Sequence, residues 1–375
     1  MKIGILGGGA VGSFAALAVR AALPAAQVTV IDAGGPRPRR TFVLLAGTRV
    51  RLAAAGLWEE IEPATHALDD LRATYRGQFG LLRLDGADCG APALGHAVRE
   101  DDLHDALRRA IAAAPGIEAI DGARVESCAP DGEVSFAAAD GGHATRRFDA
   151  VAAAGLPEEV LLRAGFRFDA KEYGHRVLVT AFAAARPGHS AAERLLADAA
   201  VTLLPNRHGW CHILTMRAAA AAALEELADE DYEAHLRDAS LLHPGPDAAI
   251  ASRAAWQPRR RLAKPAGIGA LALLGASACS VHPIGAQELN LGIRDALAWA
   301  KLLADGTEPA SSGAACARLR QADRRRVAFA TDALARAMLD LRLPGKLNLA
   351  GFAGTAVDLL PAARRAVLRR ALALP

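Results

Sequence analysis

Two glycine-bearing stretches near opposite ends of the chain have the residue types and spacing that hold phosphate groups. The first, Gly7-Gly8-Gly9-Ala10-Val11-Gly12, is a G-x-G-x-x-G run directly after the apolar Lys2–Leu6. In this spacing Gly7 permits a tight turn, Gly9 lets a pyrophosphate approach the backbone, and Gly12 lets the helix over 13–22 pack on a sheet; Ala10 and Val11 lie between them. Val28-Thr29-Val30-Ile31-Asp32 then reads as a second strand ending in a carboxylate, about twenty residues on, where this motif binds a ribose hydroxyl. The second stretch, Gly275 to Asp295, joins an apolar run at Ile268–Leu274 to a helical period over Leu289–Leu303. Pro283 and Gly285 shape the loop between them, with Ala286 next to it. Backbone amides near Leu289 and Asn290 then open a helix and point at an anionic or carbonyl-bearing group.

Strand, glycine loop, helix and second strand form a βαβ unit, which makes the chain an α/β protein. Its 375 residues, about half of them apolar, can bury a large core in two closely packed domains. The net charge of +3, without a basic stripe interleaved with aromatics, argues against nucleic-acid binding. Cys89, Cys128, Cys211, Cys279 and Cys316 are odd in number and scattered, which suggests neither a disulfide framework nor a metal site. The N-terminus enters a strand at once, and no apolar run is long enough to span a bilayer, so a cytoplasmic location is expected. No Ser/His/Asp or Cys/His arrangement stands out, and the catalytic acid or base is unknown from sequence.

At the second stretch the chain resembles the FAD-dependent aromatic-ring hydroxylases, whose motif runs roughly G-D-A-A-H-x-x-x-P-x-x-G-Q-G-L-N-L-G-x-x-D. His282-Pro283 and Leu289–Asp295 are most similar to the ubiquinone-biosynthesis hydroxylases of the 2-polyprenyl-6-methoxyphenol type, and Gly285-Ala286 resembles the p-hydroxybenzoate hydroxylase variant. The segment Arg40–Arg49 is similar to the family's R-x-x-A-L-x-x-x-S, which places Arg40 near the cofactor rather than in a solvated run with Arg37–Arg39. The resemblance implies FAD held by Gly7, Gly9, Ala10, Val11, Gly12, Asp32, Arg40, Gly275, Ala276, Pro283, Gly285, Ala286, Leu289 and Asn290. It implies NADPH or NADH as reductant, and hydroxylation of a small aromatic or prenylated quinone precursor through a flavin C4a-hydroperoxide. The implied fold is a Rossmann-like FAD-binding domain (1–70, 95–165 and 255–325), an inserted, mostly antiparallel β-sheet substrate domain (71–94 and 166–254), and C-terminal helices (326–375). Strands are expected at Tyr173–Ala185, Arg194–Leu204 and Trp210–Thr215, a helix at Ala218–Ala228, and renewed helix from Arg324. Thr331–Leu334, Gly351-Phe352 and Leu359–Pro361 resemble the C-terminal helices of the ubiquinone hydroxylases.

Three positions depart from the family pattern. Ala276 replaces an Asp or Asn that holds the ribityl chain, with Ser277 or water as a partial substitute. Ala154-Gly155 replaces an Asp-Gly pair that serves the pyrophosphate region and NAD(P)H use. Glu288 replaces a glycine before Leu-Asn-Leu, where it either crowds the flavin or turns outward as a first-turn acid. These departures support a competing reading, a non-catalytic homologue acting in binding or assembly, in a quinone-biosynthesis complex. Asn290 to Asp295 argue against it, as residues that a purely structural role would not need. A halogenase or prenyl reductase shares the first motif and fits the second less well. The Arg-and-apolar helix 362–372 packs on the core or, alternatively, lies peripherally at the inner membrane.

Overall fold

The first apolar run sits in the middle of a sheet that most of the chain contributes to. The computed structural model describes all residues except 36–39, 76–80, 185–186, 197, 239–240, 246, 341–359 and 375. Lys2–Leu6 lies between Gln27–Asp32 and Ala150–Ala153, all parallel, with Leu271–Leu273 beyond the latter and Ile117–Asp121 at the far edge. These strands are runs of Ile, Val, Leu and Ala without polar alternation, as a parallel sheet covered on both faces requires. One face is covered by Ala10–Ala22, Glu100–Ala113 and Gln287–Ala304, whose Phe14, Leu107 and Trp299 join the largest apolar core. An antiparallel ribbon of Arg124–Cys128, Glu133–Ala137 and His143–Arg147 packs Val134 and Phe136 against the other face.

The second large sheet has seven strands, in the order Ala249–Trp256, His175–Ala183, Gly209–Arg217, Ala199–Asn206, Ser190–Leu195, Asp70–Tyr75 and Leu81–Asp85. Its pairings are antiparallel apart from Ser190–Leu195 with Asp70–Tyr75. A smaller antiparallel sheet of Thr41–Leu45, Gly95–Arg99 and His66–Leu68 stands beside the two. The mixed α/β class and the largely antiparallel second sheet match the sequence expectation.

Three local readings need correction. Arg194–Leu204 is not one strand: Ser190–Leu195 pairs antiparallel with Ala199–Asn206, and the Leu196 amide bonds to the Ala199 carbonyl at 2.9 Å. Ile268–Leu274 is likewise broken, into Gly267–Ile268 and an antiparallel Leu271–Leu273. Gly269 makes that hairpin, with φ +54° and no room for a Cβ against the Pro130 carbonyl. Helix resumes at Ser312, not Arg324, because Gly313 lets Ser312–Ala335 lie directly on the Leu271 backbone. The helix Ala218–Glu225 stops earlier than expected and a second, Asp229–Asp238, follows it. Gly351-Phe352 lie outside the described residues. Pro361–Ala371 is helical, and its Leu368 packs with Leu372 against Leu45, Ala46 and Leu94.

Candidate functional site

The parallel strands end at one edge with Leu6, Asp32, Ala153 and Leu273, and ligands bind outside the carboxyl ends of such strands. Gly7 leaves the first strand at φ +104°, and a Cβ there would lie 2.2 Å from the Ala154 carbonyl oxygen, so only glycine fits. Gly9 is the N-cap of Ala10–Ala22; no side chain caps this helix and its first turn carries no acid. Its first amides are therefore left for an anion, as pyrophosphate binding requires. Asp32 lies alongside, its Oδ1 accepting from the Gly8 amide at 3.0 Å.

The second motif meets the first through Val11. A Cβ on Gly275 would touch the Val11 side chain at 3.0 Å, and one on Gly292 at 2.6 Å, so the valine sits between two glycines of the distant motif. Gly155 is tied in as well, its amide donating to Ser277 Oγ at 2.8 Å. The structure thus brings Gly7, Ala10, Val11, Gly12, Gly155, Gly275 and Ala276 to one edge. Ser277 is fully buried and engaged with that amide, so it does not stand in for the missing carboxylate at 276.

Further along, the Ala286 amide bonds to the Pro283 carbonyl at 3.0 Å, and Gly285 and Ala286 both have positive φ, +77° and +52°. A non-glycine residue in that region is uncommon and marks strain of order 1 kcal/mol or more. The turn presents the uncapped start of Gln287–Ala304, including the Leu289 amide. The Asn290 side chain holds it in place: Nδ2 donates to the Val43 and Ala286 carbonyls at 2.8 and 2.6 Å, and Oδ1 accepts from the Leu45 amide at 2.9 Å. Glu288 neither crowds the cleft as a free acid nor turns outward. Its Oε2 accepts from Ser280 Oγ at 2.5 Å and from the Val281 amide at 3.1 Å, pinning the loop that precedes the turn. His282 is fully buried at the corner, where its Nδ1 accepts from the Ile284 amide at 3.3 Å and the Tyr173 ring lies edge-on at 4.8 Å.

Arg40 makes a two-pronged ion pair with Glu100, at 2.8 and 3.0 Å, and its guanidinium lies 5.7 Å from the Trp256 ring. It borders a cleft of about 2320 Å³ whose walls also include Pro283 to Leu289 and one face of the seven-stranded sheet. Gly7 to Gly12 and Asp32 are not among the residues lining that cleft; they lie at the carboxyl ends of the parallel strands. The cleft wall is mostly apolar, with Leu71, Leu204 and Ile213 facing into it. A carboxyl on this wall, Glu193, escaped the sequence reading, because nothing in Ser190–Leu195 marks one position of the strand as facing a cavity.

The departures form a small network of their own. Arg261 Nη1 donates to Glu158 at 3.1 Å and Nη2 to the Ala276 carbonyl at 3.0 Å, so a guanidinium bridges the two degenerate segments. Ala276→Asp is expected to tighten FAD binding by about tenfold, the value of one charged hydrogen bond. A dissociation constant unchanged in fluorescence titration would mean that Arg261 takes the new carboxylate for itself. Asn290 and Asp295 also change meaning. Asp295 is fully buried and bonded to Arg320 and Arg324 at 2.8 and 3.0 Å, so both motif side chains serve the fold.

Relatives agree with this architecture. The chain is 26% identical over 342 residues to the 3-demethoxyubiquinol 3-hydroxylase of Escherichia coli, covering 87% of this chain and 85% of that protein. It is 26% identical over 311 residues to the ubiquinone hydroxylase UbiL of Rhodospirillum rubrum, covering 80% and 71%. The p-nitrophenol 4-monooxygenase PnpA of Pseudomonas putida superposes with a TM-score of 0.77 at 16% identity, over 99% of this chain and 97% of that one, which shows the shared fold. Because residues 1–337 match the FAD-binding-domain family, the chain belongs to that family, and it is an oxidoreductase whose cofactor is FAD.

Proposed function

We propose that the protein hydroxylates an apolar aromatic ring, of the prenylated quinone-precursor kind, using FAD and NADPH or NADH. The observation that carries this reading is the single cleft that runs from the Pro283–Leu289 turn along the apolar face of the second sheet. Such a cleft takes up a large apolar molecule and sets it against whatever the turn holds. The two relatives named for ubiquinone-pathway hydroxylation support the same substrate class.

The residues divide the work. Gly7 to Gly12 offer amides to the pyrophosphate, and Asp32, oriented by the Gly8 amide, takes a ribose hydroxyl. Gly275, Ala276, Pro283, Gly285, Ala286, Leu289 and Asn290 would border the rest of the cofactor, to which the Leu289 and Asn290 amides would be offered. Arg40, fixed by Glu100 on the border of the cleft, would lie within reach of cofactor and substrate. Bound and reduced, FAD supplies the activated oxygen. The protein binds, orients and excludes water through the apolar wall. Residues 1–70, 95–165 and 255–325 form the FAD-binding part, 71–94 and 166–254 the substrate part, and 326–375 the C-terminal segment.

The competing reading is a binding or assembly protein that keeps the fold without turnover, and Ala154, Ala276 and Glu288 favour it. Pro361–Ala371 carries the exposed Arg365, Arg369 and Arg370, the last two also lining the cleft, and Arg365 suits either docking to a partner of a quinone-forming complex or peripheral contact with an anionic membrane. Purification decides the main point. A yellow protein that releases stoichiometric FAD on denaturation, and that rescues a quinone-hydroxylase deletion, supports the hydroxylase. Rescue by a folded, FAD-free variant would establish the assembly role instead.

A further inference from the structure

Among the described residues that line the cleft, the carboxyls of Asp70, Glu288, Asp305 and Asp323 each have a hydrogen-bond partner, and that of Glu193 has none. In the register of the seven-stranded sheet, Ala73, Glu193, Thr202 and Ile213 form a row across adjacent strands, and all four face the cleft. Leu71, Leu195 and Leu204 extend that face on neighbouring rows. Glu193 is half-buried, and among the described residues no group hydrogen-bonds or ion-pairs with its carboxyl. Burial alone pushes its pKa up to about 7. The ionisable side chain it acts on is the Tyr75 phenol, on the adjoining strand; Thr202 opposite is neutral. An unpaired carboxyl in apolar surroundings is costly, and structural acids elsewhere in this chain, such as Asp295 and Glu100, have arginine partners.

We propose that Glu193 is a substrate-recognition residue whose carboxyl accepts the hydrogen bond of a neutral hydroxyl on an otherwise apolar aromatic ligand lying along this wall. The assignment rests on the aromatic-substrate reading above and adds the group by which the substrate is chosen. A hydroxyl suits the site better than an ammonium group. It brings one donor, which Glu193 satisfies, whereas an ammonium brings three into a wall that is mostly apolar around Glu193.

Calorimetric titration of the FAD-loaded protein with 2-naphthol, its methyl ether and 2-naphthylmethylammonium tests this. At pH 8 the wild type should bind 2-naphthol about ten- to a hundredfold tighter than the ether, as a charge-assisted hydrogen bond implies. The preference should shrink as pH falls through about 7, because protonation removes the charged acceptor. Glu193→Leu should bind naphthol and ether alike, and Glu193→Gln should lose the pH dependence while both keep their FAD. Folding provides a ligand-free check on the burial of the carboxyl. Because its pKa rises on folding from 4.5, the wild type should lose stability relative to Glu193→Gln as pH rises from 4.5 to 7. Equal wild-type affinity for naphthol and ether, a preference that survives in Glu193→Leu, or tighter binding of the ammonium each overturns the assignment. A protein that selects naphthol but never oxygenates a substrate supports the assignment and overturns the hydroxylase reading; the reverse result overturns only the role of Glu193.

Discussion

Asp295→Ala should destabilise the protein by about 3–5 kcal/mol, the cost of leaving buried charge without its partner. Asp295 is fully buried on Gln287–Ala304 and accepts from Arg320 and Arg324 on Ser312–Ala335 at 2.8 and 3.0 Å. Arg324, 1% exposed, also donates to the Leu273 carbonyl at 3.1 Å. One carboxylate therefore joins two helices to the last parallel strand, beside the Gly275 turn. Urea unfolding measures the effect, and a loss under about 1 kcal/mol would mean that water enters and solvates the arginines. Combining Asp295→Leu with Arg324→Met should cost clearly less than the sum of the single changes, since the uncompensated charge goes with its partner. The neighbouring Asp323 sets the acid limit of the cluster. Burial works to raise its pKa, but Arg294 and Arg320 outweigh it and hold the carboxyl below its ordinary 3.8. Its contribution is thus complete above that value and is lost as pH falls through the lower folded pKa.

The second large effect separates binding from folding within one loop. Gly9→Ala should give a folded, colourless protein, and Gly12→Ala a poorly folded one. Gly9 caps its helix at φ −67°, a conformation alanine adopts freely, so the methyl group costs under about 1 kcal/mol in stability while obstructing pyrophosphate. At Gly12 the added Cβ would lie 1.9 Å from the Gly7 carbonyl oxygen, an overlap that the backbone must move to relieve, at about 3 kcal/mol. Visible absorbance and thermal unfolding of the two variants give the comparison. If Gly9→Ala keeps its FAD at wild-type affinity, the pyrophosphate does not sit over this loop.

What could be read from the sequence was what is enforced locally. Gly7 and Gly12 are readable because their neighbours in space, the Ala154 and Gly7 carbonyls, leave no room for a side chain, and the spacing of the motif records that constraint. The Thr41–Leu45 anchor of Asn290 was not readable, since it joins residues 245 positions apart. The break after Leu195 was hidden because its turn has no glycine or proline, only Asp198 to signal it. The break at Gly269 carries a signal, a glycine inside an apolar run, which marks a bend in a strand. Glu193 shows the limit most plainly. Its strand pairs with Asp70–Tyr75, over a hundred residues earlier, and only that pairing turns the carboxyl toward a cavity.

The order of the parallel sheet also bears on how the chain is made. Lys2–Leu6 is synthesised before the other strands of its sheet but occupies the centre, flanked by Gln27–Asp32 on one side and Ala150–Ala153 on the other. Val11 waits longer still, because Gly275 and Gly292, between which it sits, are made more than 260 residues after it. During translation an apolar strand is thus held without one of its neighbours for well over a hundred residues, at about 5–20 residues per second. The nascent chain should bind holdase chaperones until residue 273 has left the ribosome, and should acquire flavin only after Gln287–Ala304 has docked.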